Sequence, residues 1–497
     1  MNDIKIGWGE ESIVPEGRKV NLAGQFFERI SDTVETPIAV TALAIESGDE
    51  AVIFCACDLV AVGKEFIERI RGKLKDEKGL PADKIIVSAI HTHTAPSFKD
   101  SVDAITATSS LAILTSLMPN AKYEALVSYS GSDLLAGEEA AEFIAERAAK
   151  AIKAAWNSRS AGSYAAGFGR AAIGMNRRVC YSDGSAKMWG NTDTATFTEL
   201  EAGNDSGIEL LYTFDDNKKL TGVIANVACP AQVLEHRSFI SSDYFGKVKR
   251  NLRKIYGDSV NLLGIVSPAG DQCPRDMIRW VEPETPIDDP NIIRNNVTVR
   301  KADPSMFDIK GCELVARRIT NEIVYAYENI EDGDYVAEAE LIHKNLTIDM
   351  PLRRVTPAQL ENATRAIKEF AKEIGDKPLT FKETAAMHVH AGTILRGKLQ
   401  ETVDVIPIEV HVLKLGSIAF ATNPYELFLD YGNQMRARSK ASQTFLIQLA
   451  CGCVGYLPTE KAEQGSHYSA YVSSGTAGHE GGDLLVRKTV AEINEMF

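Results

Sequence analysis

The sequence has no excess of basic residues and no long uninterrupted run of apolar residues. Its 497 residues include 54 lysines and arginines against 68 aspartates and glutamates, so the formal net charge at pH 7 is −14. Such a charge repels phosphate backbones and anionic lipid surfaces, and we therefore expect no nucleic-acid partner and no anionic membrane partner. No apolar run approaches the roughly 20 residues that a helix needs to cross a bilayer, so we also expect no membrane span.

Cysteines are few for a chain of this length, and eight of them cannot form a disulfide framework. Several lie inside apolar, strand-like runs, where reduced thiols behave as small hydrophobes: Cys55, Cys57, Cys229 and Cys451. The first residues, from Met1 to Gly7, contain no basic segment that leads into an apolar stretch. No secretory signal is therefore predicted, and we expect a cytoplasmic protein.

The apolar pattern predicts an α/β fold. An apolar run at 51–57, a helical pattern at 63–74 and a second apolar run at 85–90 follow each other in β-α-β order. Further strands are predicted at 222–228, 262–266, 335–341, 406–415, 418–422 and 445–450, and further helices at 138–156, at 357–374 with Thr356 as its N-cap, after Asn423-Pro424, and at 482–496. Composition is ordinary for a globular protein, with 44% apolar and 25% charged residues. No repeat or linker is evident, so we predict one large layered mixed-sheet domain over residues 1–497.

Residues 97–135 interrupt this pattern with scattered serine, threonine, glycine and apolar residues of no clear period. A segment of this length is either a functional loop or lid, or it contains helices that the pattern does not reveal. Because it directly follows two histidines, we expect it to shape the binding pocket.

Four polar clusters each stand directly after an apolar strand. They are His91-Thr92-His93-Thr94, the segment from Cys229 to His236, the segment from Ser267 to Arg275, and Asn423-Pro424-Tyr425-Glu426. In open α/β sheets, ligands bind outside the carboxyl ends of the strands. If the four strands run parallel, the four clusters meet at one edge.

Each cluster also has a plain structural explanation. Two histidines in His-x-His spacing face one side of an extended chain, as metal ligands do, but are about as often ordinary surface residues. The loop around Asp271 is by itself most often a turn, and Glu426 near a helix start complements the helix dipole. His388 and His390 repeat the His-x-His spacing without a functional interpretation. The co-occurrence of the clusters in order favours function.

The same clusters resemble the motifs of the neutral ceramidase family. Ser88 to Pro96 looks like the family's T-H-T-H-S-G-P motif, and Gly270 to Pro274 is similar to its G-D-T-S-P-N loop. The remaining matches are Asn176-Arg177-Arg178 with the N-R-S segment, Pro424-Tyr425-Glu426 with the segment of a zinc-binding glutamate, Gly455 to Glu460 with the Q-Y-V-T-T-R-E segment, and Tyr468 with a second active-site tyrosine twelve positions later. The matches keep the family's order over nearly the whole chain.

The resemblance implies a zinc-dependent amide hydrolase with the mixed-sheet fold of the family's catalytic domain. His91, Glu426 and Tyr456 would be zinc ligands, and zinc would activate the water that attacks the carbonyl. His93, Arg177 and Tyr468 would hold and polarise the scissile amide. Asp271 and Cys273 join the catalytic candidates because their segment matches the family's reactive-centre loop.

Two positions depart from the family. A family zinc histidine corresponds to the segment that reads Cys229-Pro230-Ala231-Gln232 here, and proline cannot coordinate zinc. Either His236, our first choice, or Glu235 replaces that ligand, or the metal is held weakly or lost. Cys273 stands where the family has a serine, as a nucleophile or as a passive substitution.

The function expected from this resemblance is hydrolysis of an amide, or of a related ester or lactone, in a soluble small molecule. Ceramide is doubtful as the substrate, because no export signal and no residues for a C-terminal immunoglobulin-like domain are recognised. Two alternatives remain: a metal-free hydrolase with Cys273 as nucleophile, and a catalytically silent ligand-binding protein. The sequence does not identify the substrate or the oligomeric state.

Overall fold

The computed structural model describes residues 2–25, 27–105, 110–119, 121–123, 129–279 and 308–497. The strands in this part of the chain are β1 (Asn2–Ser12), β2 (Lys19–Asn21), β3 (Ile30–Ser31), β4 (Val34–Thr36), β5 (Ala39–Ser47), β6 (Glu50–Cys57), β7 (Ile85–Ala89), β8 (Lys122–Tyr123), β9 (Leu134–Leu135), β10 (Ser160–Arg170), β11 (Met175–Asn176), β12 (Arg178–Tyr181), β13 (Ala186–Met188), β14 (Phe197–Leu200), β15 (Gly207–Asp215), β16 (Leu220–Val227), β17 (Ile240–Ser241), β18 (Asn261–Val266), β19 (Gln272–Cys273), β20 (Glu338–Ala339), β21 (Leu341–Pro351), β22 (Pro378–Leu379), β23 (Val405–Leu415), β24 (Ile418–Thr422), β25 (Glu426–Leu427), β26 (Gln443–Ile447) and β27 (Tyr456–Leu457). The α-helices are α1 (Lys64–Leu74), α2 (Ser110–Leu117), α3 (Gly137–Asn157), α4 (Asp243–Tyr256), α5 (Asp308–Glu328), α6 (Pro357–Ile374), α7 (Phe381–Leu399), α8 (Leu429–Arg438), α9 (Glu460–Gly465) and α10 (His479–Met496).

A large mixed sheet forms the first layer, in the order β18-β16-β15-β10-β1-β5-β6-β7, with β20 paired to β1. The pairs β16–β18 and β6–β7 are parallel, whereas β15–β16, β10–β15, β1–β10, β1–β5 and β5–β6 are antiparallel. Helix α3 packs closely on β1 because Gly7 and Gly9 have no side chains. A Cβ at either position would lie 2.1 Å from a carbonyl oxygen of the helix.

A second sheet, in the order β21-β23-β24-β26, packs against the first. One hydrophobic core joins the two sheets: Leu43 and Phe54 of the large sheet and Leu413, Phe420 and Phe445 of the second sheet belong to the same buried cluster. The ring of Phe420 lies 5.1 Å from that of Phe54 and 4.6 Å from that of Phe445. The α/β fold with a large mixed sheet is therefore confirmed.

Most predicted elements are confirmed, including the β6-α1-β7 unit and helix α6 with Thr356 as its N-cap. The predicted strand at 335–341 is confirmed only in part, because it contains the two-residue strand β20 and the first residue of β21, which continues to Pro351. Polar residues such as Lys344, Asn345 and Thr347 interrupt the apolar residues of β21, which hides this strand from a search for apolar runs. Several strands and helices of mixed composition were not predicted: β1, β5, β10, β15, α4, α5 and α7.

The segment 97–135 contains helix α2, so it is not loop throughout. Ile113, Leu114 and Met118 are buried against α6 and α7, where they meet Ile367 and Ile394. Residues 106–109, 120 and 124–128 of this segment lie outside the described residues. A role of this segment as a lid stays a prediction.

Among the helices that the structure describes, none has both the length and the apolar character that crossing a membrane requires.

Candidate active site

The turn after β7 holds the histidine pair. His91 has a left-handed backbone with φ of 66°, a strained conformation for a residue with a side chain. Thr92 and Thr94 stabilise the turn, because both hydroxyls donate hydrogen bonds to the carbonyl oxygen of Ser241, at 2.8 and 2.9 Å. The His91 Nδ1 atom lies 2.7 Å from the carbonyl oxygen of Val60, so it carries the proton and leaves Nε2 as an acceptor.

The free edge of His91 is surrounded by potential ligands. Its Nε2 atom lies 3.2 Å from His93 Nε2 and 3.4 Å from Glu426 Oε2. All three side chains are largely buried, with 10%, 12% and 14% of their surfaces exposed for His91, His93 and Glu426. His91 Nε2 therefore has an imidazole nitrogen and a carboxylate oxygen as near neighbours.

Glu426 and Tyr456 are brought together by a short parallel strand pair. Glu426 of β25 is in register with Tyr456 of β27. Burial, with the nearby Glu426 carboxylate, raises the pKa of the Tyr456 hydroxyl well above its usual value, so this hydroxyl keeps its proton and hydrogen bonds to Glu426. Tyr468 lies beside it, with ring centroids 5.7 Å apart in an edge-to-face arrangement.

Arg177 supplies a buried positive charge. It donates hydrogen bonds to the Tyr456 hydroxyl at 3.3 Å, to the Gly270 carbonyl at 2.8 Å and to Gln232 Oε1 at 3.3 Å. Burial acts to lower the pKa of Arg177, but the surrounding Tyr456 and Glu426 outweigh it and hold the pKa above its usual value. The guanidinium is therefore a permanent cation directed at the tyrosine.

Asp271 holds two segments of the site in place. Its Oδ2 accepts a hydrogen bond from Asn176 Nδ2 at 2.8 Å, and its Oδ1 accepts one from the Leu429 amide at 2.9 Å, at the start of α8. Burial raises its pKa to about 6. These two contacts join the segment that carries Arg177 to the segment that carries Glu426.

Cys273 lies at the back of the site. It is fully buried, and its thiol donates to the carbonyl oxygen of Arg275 at 3.4 Å. Burial raises its pKa to about 12, although Arg177 and Arg275 act in the opposite direction. A thiol with this pKa stays protonated at neutral pH, and the thiolate is the nucleophilic form.

The segment after Pro230 reaches the site through Glu235. Glu235 Oε2 lies 3.7 Å from His93 Nδ1 and accepts a hydrogen bond from Gln232 Nε2 at 3.0 Å. His236 instead has a carboxylate partner in Asp308, at 3.7 Å, at the start of α5. Pro230 itself is buried.

The four polar clusters do meet, as predicted, but their strands belong to two sheets. β7, β16 and β18 lie in the large sheet and β24 in the second sheet. Contacts between the ends of these strands close the site, for example from the Ala231 amide to the Ile90 carbonyl and from the Gly270 amide to the Leu427 carbonyl.

Arg178 is a further important residue to which the sequence assigned no role. Its guanidinium is completely buried, pairs with Glu201 at 2.7 Å, and donates to the carbonyl oxygens of Ser466 at 2.8 Å and Tyr468 at 3.0 Å. It therefore positions the segment that carries Tyr468. The only sequence signal was its place beside Arg177.

A group of three side chains with mutually close metal-ligand atoms lies away from the histidine pair. One ligand atom each from Glu409, His411 and Cys451 falls within 4.8 Å of the others. These groups already have protein partners: Arg71 pairs with Glu409 at 2.9 Å, and the two ring nitrogens of His411 face Glu409 at 2.7 Å and His343 at 2.8 Å. The cluster joins α1 to β23 as a charge network.

A cavity of about 480 Å³ opens beside the histidine site. Glu426 and Tyr456 line it on one side, and helix α7 lines it on the other with His388, Leu395 and Arg396. The cavity gives a small molecule access to the candidate active site.

Two solved structures share this fold over the whole chain. One is the neutral ceramidase from Pseudomonas aeruginosa, which covers 100% of this chain and 75% of its own chain with a TM-score of 0.67 and 16% identity. The other is a ceramidase complexed with C2, with the same coverage, a TM-score of 0.67 and 13% identity. No protein-family model and no curated protein sequence matches the chain. The chain therefore has the fold of neutral ceramidases, at an identity that relates the folds alone.

Proposed function

We propose that this protein is a divergent relative of the neutral ceramidases and a metal-assisted hydrolase that cleaves an amide bond in a soluble small molecule. The observation that carries the proposal is that His91 Nε2 lies 3.2 Å from His93 Nε2 and 3.4 Å from Glu426 Oε2, beside Tyr456 and Arg177. An ester or lactone is a close variant of the same substrate class.

The donor set fits a zinc ion. Zinc binds imidazole nitrogen and carboxylate oxygen at about 2.0–2.2 Å in tetrahedral geometry, which places neighbouring ligand atoms about 3.3 Å apart. The separations of His91 Nε2 from His93 Nε2 and from Glu426 Oε2, 3.2 and 3.4 Å, match that spacing. The Val60 carbonyl fixes the His91 tautomer, as outer-shell partners of zinc histidines do.

We assign His91, Glu426 and Tyr456 as ligands and add His93 as the fourth. His93 is favoured over His236 because it already faces His91, whereas His236 faces Asp308. Glu235 then lies behind His93 and orients its ring. A zinc ion in this site supplies Lewis-acid polarisation of the carbonyl and makes water acidic near neutral pH.

The protein's own groups perform the remaining steps. Arg177 is a buried cation that holds the carbonyl oxygen and stabilises the negative charge developing on it. Tyr456 accepts a hydrogen bond from Arg177 and so links this cation to the proposed ligand set. Tyr468, held by Arg178, closes the same side of the site and excludes water.

The alternative with Cys273 as nucleophile is less well supported. Its buried thiol already donates to a backbone carbonyl, and its raised pKa disfavours the thiolate. Attack by water at the histidine site requires no change at Cys273.

The test of the proposed function measures zinc and hydrolysis together. We expect about one zinc per chain in the wild type, near-zero zinc in His91→Ala, and reduced zinc in His93→Ala, measured by elemental analysis after equilibration with zinc. His236→Ala is the matched control and should retain the metal. Loss of zinc in His236→Ala with retention in His93→Ala would return the fourth position to His236, and equally low zinc in wild type and His91→Ala would refute the metal site.

Substrate class is tested on the zinc-loaded protein. We expect turnover of polar N-acyl compounds and no useful turnover of a fluorescent short-chain ceramide presented in micelles, because the net charge of −14 disfavours anionic lipid surfaces. Efficient turnover of the ceramide alone would show that the substrate is the lipid.

A further inference from the structure

The cavity beside the candidate active site is lined by two chemically different groups of residues. Glu426 and Tyr456 belong to the candidate active site. Helix α7 contributes the second group, which includes His388, Gly392, Leu395, Arg396 and Leu399. Because both groups line the same cavity, one small molecule can contact both.

Arg396 is a buried cation without a matching anion. Only 7% of its surface is exposed, and its guanidinium donates one hydrogen bond, from Nη1 to the Thr476 carbonyl at 3.1 Å. Within the part of the chain that the structure describes, no carboxylate lies within ion-pair distance of it. Burial lowers its pKa to about 10, and the neighbouring Arg353 acts in the same direction.

The contrast with Arg353 is informative. Arg353 is also largely buried beside the same segment, where it donates to the Ala470 carbonyl at 2.8 Å. Unlike Arg396, it has a carboxylate partner, Glu463, at 3.4 Å. An uncompensated buried charge is costly, and the cavity is the place from which a ligand can supply the missing negative charge.

The rest of the wall suits a short acyl chain. Val102, Ile105, Leu395 and Leu399 are apolar and lie in the same cavity as Arg396. Arginine is the side chain best suited to bind a carboxylate, because its planar fork can donate two parallel hydrogen bonds.

We propose that Arg396 binds a carboxylate of the substrate, so that the substrates are amides with an anionic group, of the N-acyl amino acid class. The proposal rests on the proposed amide hydrolysis and adds the substrate class to it. Arg396 sets specificity from the far wall of the cavity, and the reacting bond lies near Glu426 and Tyr456.

The experiment compares two amides that differ only in charge, N-octanoylglycine and N-octanoylethanolamine, on the zinc-loaded protein. A charged hydrogen-bonded contact is worth about a factor of ten to one hundred in binding. We therefore expect the wild type to prefer the anionic amide by at least about tenfold in kcat/KM. In Arg396→Met that preference should vanish through a higher KM for the anionic amide alone, and Arg396→Lys should restore part of it.

Arg353→Met is the matched control, because it removes a neighbouring buried arginine that does not line the cavity. It should lower turnover of both amides by a similar factor and leave their ratio unchanged. Equal kcat/KM of the wild type for the two amides, or a parallel loss of both in Arg396→Met, would overturn the proposal and leave Arg396 as a structural support of Thr476.

A binding measurement separates this proposal from the proposed function. If the wild type cleaves neither amide, the proposed hydrolysis fails for this class, and calorimetric titration with uncleaved N-octanoylglycine decides on Arg396. A loss of N-octanoylglycine affinity of about tenfold in Arg396→Met supports the anion site, whereas equal affinity refutes it.

Discussion

Single side chains in the candidate active site owe their properties to what surrounds them rather than to their type. Cys273 is a thiol, but burial raises its pKa to about 12 and its proton is shared with a backbone carbonyl. His91 is an acceptor at Nε2 because its Nδ1 carries the proton and donates it in a hydrogen bond to the Val60 carbonyl oxygen. Chemical roles at this scale are decided by the folded surroundings of each side chain, whether the neighbours are near or distant in sequence.

Cys273→Ser tests whether the thiol reacts. We expect the variant to retain most of its hydrolytic activity, because a buried hydroxyl can make the same donation to the Arg275 carbonyl and because the thiol is not ionised at neutral pH. Activity at saturating substrate is the measurement, with Cys229→Ser as the control for a neighbouring buried cysteine. An acyl-thioester on Cys273 detected by mass spectrometry would reverse this conclusion.

The sequence identified side chains whose chemistry is visible in a short motif. His91, His93, Arg177, Glu426 and Tyr456 were all recognised, and the structure brings them together. Arg178 and Arg396 were not recognised, because an arginine becomes informative only when its burial and its partners are known. The choice of His236 stays a prediction, and its observed partner Asp308 is 72 positions away in the chain.

Between secondary-structure elements, buried charges replace apolar contacts at one junction. Arg71 of α1 donates to Glu409 of β23 at 2.9 Å and to the Ile85 carbonyl at 2.9 Å. His411 faces Glu409 and His343, which adds β21 to the same junction. Burial alone would raise the pKa of Glu409, but hydrogen bonds from Arg71 and His411 hold it well below its usual value.

Glu409→Gln should therefore lower the free energy of unfolding by about 2–3 kcal/mol, since it leaves the buried Arg71 with only the half-exposed Glu68 as a carboxylate partner. The depressed pKa stabilises the folded protein above the unfolded carboxylate value of about 4.3, and this contribution is lost as the pH falls below it. Urea unfolding of wild type and variant from pH 4 to pH 8 measures the difference. The difference in free energy of unfolding between wild type and variant should be largest near pH 8 and should shrink toward pH 4.

Glu68→Gln is the matched control, because Glu68 pairs with the same Arg71 at 3.0 Å but has 55% of its side chain exposed. It should change stability by less than about 0.5 kcal/mol at any of these pH values. Equal effects of the two substitutions would mean that the junction is held by packing and not by the buried pair.

Elements with a single clear pattern were predictable, and those with two patterns were not. The apolar runs of β6, β7, β18 and β24 are buried on both faces, so composition alone reveals them. Helix α7 combines an apolar face with His388 and Arg396 toward the cavity, which weakens its periodicity. Its His388 and His390, which repeat the His-x-His spacing, belong to a helix and therefore point in different directions.

At the scale of the whole molecule, the candidate site lies where two sheets meet. β7, β16 and β18 of the large sheet and β24 of the second sheet all end there. Sequence order alone could not show that the clusters come from separate sheets, because pairing over such distances depends on the complete fold. If residues 1–497 form a single domain, as we predict, the two sheets that meet at this junction should unfold together.

Phe420→Ala tests whether the two sheets unfold as one unit. The Phe420 ring is buried between Phe54 of the large sheet and Phe445 of its own sheet, at 5.1 and 4.6 Å, so its removal leaves a cavity in the shared core. Such a truncation costs about 3–5 kcal/mol. If the sheets form one cooperative unit, calorimetry of wild type and variant shows a single transition in each, and the midpoint of the whole transition falls in the variant.

Phe168→Ala is the control: this ring on β10 is 46% exposed, and its loss should change the free energy of unfolding by no more than about 0.5 kcal/mol. Two resolved transitions in the wild type, of which Phe420→Ala shifts one, would show instead that each sheet folds separately and that the active site is assembled by the docking of two domains.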